Sequence, residues 1–234
     1  MRQRYVSQFR HPPDGYAFIV TYGRSGSTLL QRLMNAVPGC LIRGENNNAL
    51  YPLFRSWWAL AHSPDIRDMR ARSLISDPAH PWFGAERIDA DTYARMLTEC
   101  FVAQVLRPPP GTRIGGFKEI RTLPDQAEFR AYLAFILRNF PRARLIFNTR
   151  DVHAVARSSW WRRHDPAEVQ AVIHSAEQVF DAVAAAHPSR CLTLRYEEYV
   201  SDQNALEPLF QALDGRPAAA DMRAIMRERL THAT

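Results

Sequence analysis

The sequence predicts an α/β fold in which helices cover both faces of a mostly parallel central sheet, forming a three-layer sandwich. The main observation is that short apolar runs rich in β-branched and aromatic residues alternate with longer segments of helical periodicity. In addition, 46% of the 234 residues are hydrophobic and 23% are charged, a balance typical of a globular chain with a buried core. We therefore expect a single domain over residues 1–234.

The alternation begins with a strand, a tight loop and a helix. Residues 16–22 form an apolar run that breaks at the loop 23–26, and residues 27–36 carry Leu and Met side chains at helical spacing. In a parallel sheet, ligands bind beyond the carboxyl ends of the strands, where backbone N–H groups and a helix N-terminus favour anions. The loop after the first strand is therefore predicted to bind an anion.

The middle of the chain predicts a second strand at 40–43 and helices at 47–62 and 91–106. Between these helices, residues 63–90 contain several Pro and Gly residues, and we expect a loop-rich lid or binding region there. The Pro-Pro-Pro-Gly segment 108–111 is interpreted as a stiff connector within one domain, the alternative being a domain boundary.

The rest of the chain continues the same alternation. One helix has a clear start, since Asp165 is a suitable N-cap, Pro166 suits the first helical position and Glu168 completes a capping box. The further strands are predicted at 113–118, 143–149 and 191–195, and the further helices at 125–139, 151–161, 203–213 and 218–230.

The number and distribution of charged residues limit the kinds of molecule that the protein is expected to bind. Basic residues outnumber acidic residues by 30 to 24, which gives a formal net charge of +6. All the basic residues are Arg except Lys118. The arginines are spread along the chain without a basic and aromatic array, so we expect no nucleic acid partner. A single Lys in such a chain indicates a position where a compact ammonium and a guanidinium are not equivalent.

Cysteine usage and the N-terminus favour a reducing compartment. Cys40, Cys100 and Cys191 are odd in number and far apart, which predicts buried free thiols in a cytoplasmic protein. No apolar run approaches the length of a membrane span, and no apolar segment follows the charged N-terminus, so we expect neither a transmembrane helix nor a secretory signal. The His residues show no ligand spacing, so no metal site is predicted.

The loop after the first strand combines small, hydroxyl-bearing and charged residues. Glycines allow a tight turn and close approach of an anion, hydroxyls donate hydrogen bonds, and Arg supplies charge. A Walker A loop would contain Gly-Lys-Ser/Thr, which this chain lacks, so a Mg²⁺-dependent nucleotide kinase or hydrolase is disfavoured. An ordinary Gly/Ser turn is the alternative. The candidate residues are Gly23, Arg24, Ser25, Gly26, Ser27 and Thr28.

Several segments together resemble the sulfotransferases that use 3′-phosphoadenosine 5′-phosphosulfate (PAPS). They are the loop 22–28, Gly44-Glu45 after the second strand, residues 145–151 followed by Ser158, and residues 194–199. The resemblance extends from residue 16 to about residue 213. It implies a P-loop-like sulfotransferase fold, similar to bacterial members that modify glycans or small molecules.

The resemblance also implies how the cofactor is held. Residues 24–28 would cradle the 5′-phosphosulfate of PAPS, and Arg150 and Ser158 would bind its 3′-phosphate. An Arg side chain offers phosphate a fixed charge and paired donors, which agrees with this assignment. The product would be 3′,5′-adenosine bisphosphate (PAP), and no metal would take part. The residues that complete the adenine and 3′-phosphate pocket near the C-terminus stay open.

Sulfuryl transfer to a hydroxyl needs a base, and Glu45 is the candidate, the alternative being a helix N-cap carboxylate or a surface salt bridge. Many relatives use a His in a Lys-x-His arrangement, but Ile120 occupies that position here. Glu119 is the competing base, although strand alternation points it away from the face that Lys118 occupies. Lys118 is predicted to stabilise charge on the leaving group. Arg24 is the alternative cation for that role, and the choice stays open.

The acceptor is the least constrained part of the prediction. The amides of residues 46–48 beside Glu45 suit a polyhydroxy molecule, although an Asn cluster at a helix start explains them equally well. We expect the acceptor to be a hydroxyl of a carbohydrate or glycolipid. Residues 63–90 would then include the acceptor-binding loops. The alternatives are a small natural-product acceptor and, as a different class, a non-enzymatic nucleotide-binding module. The five Trp residues are interpreted mainly as core or interface, the alternative being that one or two of them, particularly within residues 50–90, stack on a sugar or aromatic acceptor. The oligomeric state is not predicted.

Overall fold

The computed structural model describes residues 9–72 and 77–228. The chain divides into two compact units. The larger unit comprises His11–Asn47 and Leu106–Thr234 and contains the whole sheet, and the smaller comprises Met1–Arg10 and Asn48–Val105. The prediction of a single domain over residues 1–234 stays a prediction.

The larger unit is built on one five-stranded sheet. The strands follow the order β2-β3-β1-β4-β5, and every neighbouring pair is parallel. This confirms the predicted α/β class, and all five predicted strands are present in a sheet that is wholly rather than mostly parallel. The strands are β1 Ala17–Val20, β2 Cys40–Arg43, β3 Ile114–Glu119, β4 Arg144–Thr149 and β5 Cys191–Arg195.

Helices follow the strands, and one of them, α8 at Tyr196–Ser201, is not predicted from the sequence. Within the described residues the α-helices are α1 Ser27–Asn35, α2 Leu50–Ala61, α3 Pro64–Arg72, α4 Ala90–Phe101, α5 Gln126–Asn139, α6 Val152–Ala156, α7 Pro166–Ala186, α8 Tyr196–Ser201, α9 Glu207–Ala212 and α10 Ala219–Arg227. A π-helical segment, Val102–Leu106, extends α4, and short 3₁₀ helices lie at Ala85–Arg87, Ser159–Arg163 and Gln203–Leu206. Residues 229 and 230 of the last predicted helix lie outside the described residues.

Both faces of the sheet are covered, which accounts for the apolar character of its strands. On one face, Ile19 of the central strand β1 belongs to a cluster with side chains of α1, α8 and α9. On the other face, the ring of Phe147 in β4 stacks on Phe180 of α7 at 4.6 Å between centroids. Because β1 lies in the middle of the sheet, the loop that follows it starts from a fully buried strand.

The predicted helix 151–161 is wrong in its extent. Helix α6 ends at Ala156, and Ser158 lies in the bend before the 3₁₀ helix Ser159–Arg163 instead of two turns into a helix. Tertiary contacts explain the break: Trp161 Nε1 donates a hydrogen bond to the Gly23 carbonyl oxygen at 3.0 Å, and Trp160 packs on the same glycine. These contacts hold the two indoles against the loop rather than in a continuous helix.

The prediction that residues 63–90 are loop-rich also needs correction, because helix α3 occupies Pro64–Arg72. The Ser63 hydroxyl accepts a hydrogen bond from the Ile66 N–H at 3.3 Å, and Arg72 Nε donates to Asp68 Oδ1 at 2.8 Å. A capping Ser and an i,i+4 ion pair outweigh a composition that suggests a loop. Residues 73–76 lie outside the described residues.

The three cysteines are free, but not all of them are buried. Cys100 is exposed, which corrects the expectation, because it lies on the outer face of α4. Cys40 and Cys191 are half-buried, and loss of solvent raises the pKa of each thiol to about 11. Among the helices of the described segments, none combines the length and apolar character that a bilayer crossing requires.

We predict that Gly116→Ala will destabilise the sheet. A Cβ at this position of β3 would lie 1.8 Å from the carbonyl oxygen of Ala17 in the neighbouring strand β1. The strands would have to separate, so the free energy of unfolding should fall by about 2 kcal/mol or more in chemical denaturation. Gly44→Ala is the control, because the nearest atom to its Cβ would be Gln31 Nε2 at 3.9 Å. Equal stability of the two variants would contradict the prediction.

Candidate active site

A cavity of about 710 Å³ opens beyond the carboxyl ends of the strands in the larger unit. It lies where ligand sites of parallel α/β sheets are found. The structure brings together here all the predicted site residues except Ser25. They are Gly23, Arg24, Gly26, Ser27, Thr28, Glu45, Lys118, Arg150 and Ser158.

The loop between β1 and α1 leads into a helix N-terminus that no side chain caps. Gly26 is the N-cap residue, with a φ of 84°, and a Cβ there would lie 2.1 Å from Cδ2 of Tyr196. A glycine is therefore required both for the left-handed backbone and for the close approach of the ring. Ser27 and Thr28 follow in the first turn and line the cavity, so backbone and hydroxyl donors are available to an anion.

Ser25 supports the loop from beneath rather than facing the cavity. Its side chain is fully buried, and its Oγ lies 2.7 Å from the hydroxyl of Thr21, which is 2.5 Å from the Asn148 carbonyl oxygen. The amide of Asn148 donates to the Ser25 carbonyl oxygen at 2.8 Å and accepts from the Tyr199 hydroxyl at 3.0 Å. These buried bonds tie the loop to β4 and α8. Ser25 is therefore not among the residues that line the cavity, and its predicted contact with a cofactor stays a prediction.

Arg24, Arg150 and Ser158 meet directly. Arg24 Nε donates a hydrogen bond to Ser158 Oγ at 2.9 Å, and Arg150 Nη1 donates to the Arg24 carbonyl oxygen at 2.9 Å. Arg24 itself has a φ of 69°, so the loop turns back at this residue. The residues that the resemblance assigns to the two ends of one cofactor therefore form one connected group.

The guanidinium of Arg150 is held on several sides. Its Cζ lies 4.4 Å from the centroid of the Tyr196 ring, and its Nε lies 3.9 Å from Glu197 Oε1. That Nε is buried and has no hydrogen-bond partner in the described part of the chain. The backbone N–H of Arg150 donates to the Tyr22 hydroxyl at 2.9 Å. Arg150 also lines the cavity, and a guanidinium has five N–H donors, so the residue can offer donors to an anionic ligand there.

The candidate base and the single Lys form an ion pair. Lys118 Nζ donates to Glu45 Oε1 at 2.7 Å, and the side chain of Lys118 is 8% exposed while that of Glu45 is 36% exposed. Glu119 does not line the cavity, and its Oε1 accepts from the backbone N–H groups of Ile120 and Arg121 at 2.9 and 3.1 Å. Lys118 and Glu119 thus lie on opposite faces of β3, as strand alternation predicts.

Two aromatic residues of the cavity were not assigned to the site from the sequence. Trp160 is 42% exposed and lies against Gly23, where a Cβ would come within 2.6 Å of its ring. Tyr196 fills the equivalent space beside Gly26. The two glycines indicate that another group packs closely against the loop. Their partners lie more than a hundred residues away in the sequence, so only the folded structure identifies them.

The donor set fits a ligand with several phosphate-like groups. The cavity contains the cations of Arg24, Lys118 and Arg150, together with hydroxyls and the uncapped end of α1. No group of three or more His, Cys, Asp or Glu side chains within residues 9–72 and 77–228 is arranged to hold a metal ion. A parallel sheet with such a loop is typical of α/β proteins that bind phosphate groups at the carboxyl edge of the sheet.

Comparison with known families defines the protein further. The family model described as the sulfotransferase family matches residues 17–206. The chain therefore belongs to the sulfotransferase family and is, by family, a PAPS-dependent enzyme. Membership of this family favours an enzyme over the alternative of a non-enzymatic nucleotide-binding module. A comparison of the sequence with curated proteins finds no significant match.

Solved structures agree with the fold. The chain is similar to a sulfotransferase domain from the olefin synthase of Synechococcus PCC 7002, with 18% identity and a TM-score of 0.56, over 97% of this chain and 82% of that one. It is also similar to a sulfotransferase domain from the curacin biosynthetic pathway, with 18% identity and a TM-score of 0.52, over 94% and 80% of the two chains. At this identity the likeness supports the architecture alone.

We predict that Asn148→Ala will destabilise the protein strongly. The substitution would leave the Ser25 carbonyl and the Tyr199 hydroxyl without their partner in a fully buried place. Unfolding by denaturant should show a loss of about 3 kcal/mol, because each unpaired buried group costs roughly 1–3 kcal/mol. The control is Asn139→Ala, which removes one bond to the Phe135 carbonyl at the end of α5. The prediction fails if both variants lose the same stability.

Proposed function

We propose that the protein transfers a sulfuryl group from PAPS to a hydroxyl of a carbohydrate or glycolipid, with Glu45 as the general base. The observation that carries this proposal is the Glu45–Lys118 pair at 2.7 Å, in the same cavity as the loop that follows β1. When bound, PAPS supplies the sulfuryl group and leaves as PAP. No metal is required by this proposal.

The cavity residues divide between the two ends of the cofactor. Gly23, Arg24, Gly26, Ser27 and Thr28, with the backbone of Ser25, would hold the 5′-phosphosulfate. Arg150 and Ser158 would hold the 3′-phosphate. Support comes from the position of Arg150 in the lining of the cavity and from the uncapped N-terminus of α1, both of which favour an anion.

Glu45 would take the proton of the acceptor hydroxyl onto a carboxylate oxygen. Its side chain is partly exposed, so a hydroxyl has access to it, and the hydrogen bond from Lys118 fixes its orientation. The ammonium of Lys118 carries three donors, so it can keep the bond to Glu45 and still direct positive charge toward the leaving phosphate. Arg24 is the second cation for that role.

The acceptor class rests on the residues beside the base. Asn47 and Asn48 have φ values of 59° and 56°, so the backbone turns sharply just after Glu45, at a cluster of amides that suits a polyhydroxy molecule. The alternative is a small natural product. That alternative is favoured by the two similar sulfotransferase domains, which come from an olefin synthase and from the curacin biosynthetic pathway.

Two further expectations stay predictions. Residues 63–90, which include α3, are proposed to contribute to acceptor binding. A cytoplasmic location is proposed on the basis of the three free cysteines.

We predict that PAP will raise the melting temperature of the protein more than ADP does. The two ligands carry the same number of phosphate groups, but only PAP has the 3′-phosphate for which Arg150 and Ser158 are proposed. A thermal shift titration with both ligands makes the comparison. A larger shift with ADP, or no shift with either ligand, would contradict the proposed cofactor.

We predict that Glu45→Gln will abolish transfer while leaving PAP bound. A neutral amide cannot accept the proton, so turnover with radiolabelled PAPS should fall by roughly a hundredfold or more. Affinity for PAP should not weaken, because the substitution removes a negative charge beside an anion site. Glu119→Gln is the matched control and should retain turnover, since Glu119 does not line the cavity. Full turnover in Glu45→Gln would move the base elsewhere.

A further inference from the structure

We propose that Glu177 is a positioning residue that sets the preference of this enzyme for a 3′-phosphorylated donor. It acts through Tyr22 on Arg150 and does not line the cavity itself. The inference rests on the proposed function, because it takes Arg150 to be the residue that binds the 3′-phosphate.

The three residues form a chain of hydrogen bonds. The Tyr22 hydroxyl donates to Glu177 Oε1 at 2.6 Å and accepts from the Arg150 backbone N–H at 2.9 Å. A phenol has one hydrogen, so the carboxylate decides which way that hydrogen points. The Arg150 carbonyl oxygen, at 3.1 Å, is the more distant acceptor for the same hydroxyl.

The surroundings keep this arrangement fixed. Tyr22 is 1% exposed, and burial together with the hydrogen bond to Glu177 raises the pKa of its phenol far above the usual value, so the hydroxyl remains a donor. Glu177 lies within the long helix α7, which is anchored on the sheet through Phe180 and Phe147. The carboxylate is therefore presented by a rigid element.

Arg150 connects this series of hydrogen bonds to the candidate active site. It is the first residue after β4, so its backbone direction decides where the guanidinium lies. Tyr22 holds its N–H, and the Arg24 carbonyl and the Tyr196 ring hold its guanidinium. Without Glu177, the Tyr22 hydrogen would turn to the Arg150 carbonyl, and the N–H of Arg150 would lose a correctly oriented acceptor.

Loss of Glu177 should weaken the binding of only one group of the ligand, the 3′-phosphate. A ligand with a 3′-phosphate depends on Arg150, whereas 5′-AMP meets the loop without that group. A residue that acts only on stability would lower the melting temperature and weaken both ligands alike. The ratio of the two affinities therefore separates a positioning role from a structural one.

The experiment measures the Kd of PAP and of 5′-AMP by calorimetry for the wild type and for Glu177→Ala, Glu177→Gln and Tyr22→Phe. We expect the preference for PAP over 5′-AMP to fall roughly tenfold in Glu177→Ala and Tyr22→Phe, as for the loss of a hydrogen bond to a charged group. Glu177→Gln should keep most of the preference, because its amide oxygen can still accept from Tyr22. Asp181→Ala, an exposed carboxylate on the same helix, is the control and should change nothing.

An unchanged preference in Glu177→Ala and Tyr22→Phe would overturn the inference, even if stability falls. A loss in Glu177→Gln as large as in Glu177→Ala would also overturn it, because the hydrogen bond would then not be the cause. A wild-type protein that binds 5′-AMP as tightly as PAP would instead overturn the proposed role of Arg150, and with it the proposed function.

Discussion

The hydrogen bonds of the buried Asn148 side chain hold the rest of the site in place. They connect the loop after the central strand to β4 on one side and to the hydroxyl of Tyr199 on the other. A loop that binds phosphate must keep its N–H groups aligned before the ligand arrives, since the ordering cost would otherwise reduce affinity. The sheet supplies this rigidity because β1 and β4 are adjacent, parallel and fully covered.

Because the loop is fixed, the charged side chains of the cavity can lie close together and still keep defined positions. Arg24 and Arg150 are joined through the Arg24 carbonyl oxygen, and Lys118 is balanced by Glu45. The cations of Arg150 and Lys118 are therefore held by a backbone and a carboxylate oxygen, and that of Arg24 by the Ser158 hydroxyl, while each keeps donors for a ligand. Buried charges that lack such partners would be costly, so the same contacts that support the site also make its charge tolerable.

The fold could be predicted from the sequence because strand-like segments, clearest in the apolar runs of β1 and β4, alternate with segments of helical periodicity. The site could be predicted in part, because Arg24 and Gly26 lie in one contiguous motif. The bend at Ser158 and the roles of Trp160 and Tyr196 could not be predicted, since they depend on contacts across the sheet. The periodicity of the local sequence carries no information on such contacts. Tertiary packing overrides it where the indole of Trp160 and the phenol ring of Tyr196 pack against glycines.

A crystal structure of the enzyme with PAP would show directly which residues hold its two phosphate groups. We expect the 5′-phosphate to lie against the N-terminus of α1 and the 3′-phosphate to lie within hydrogen-bond distance of Arg150 and Ser158. Glu45 and Lys118 should remain on the 5′ side, open to an acceptor. A 3′-phosphate that faces solvent, or a nucleotide bound away from the loop after β1, would contradict this expectation.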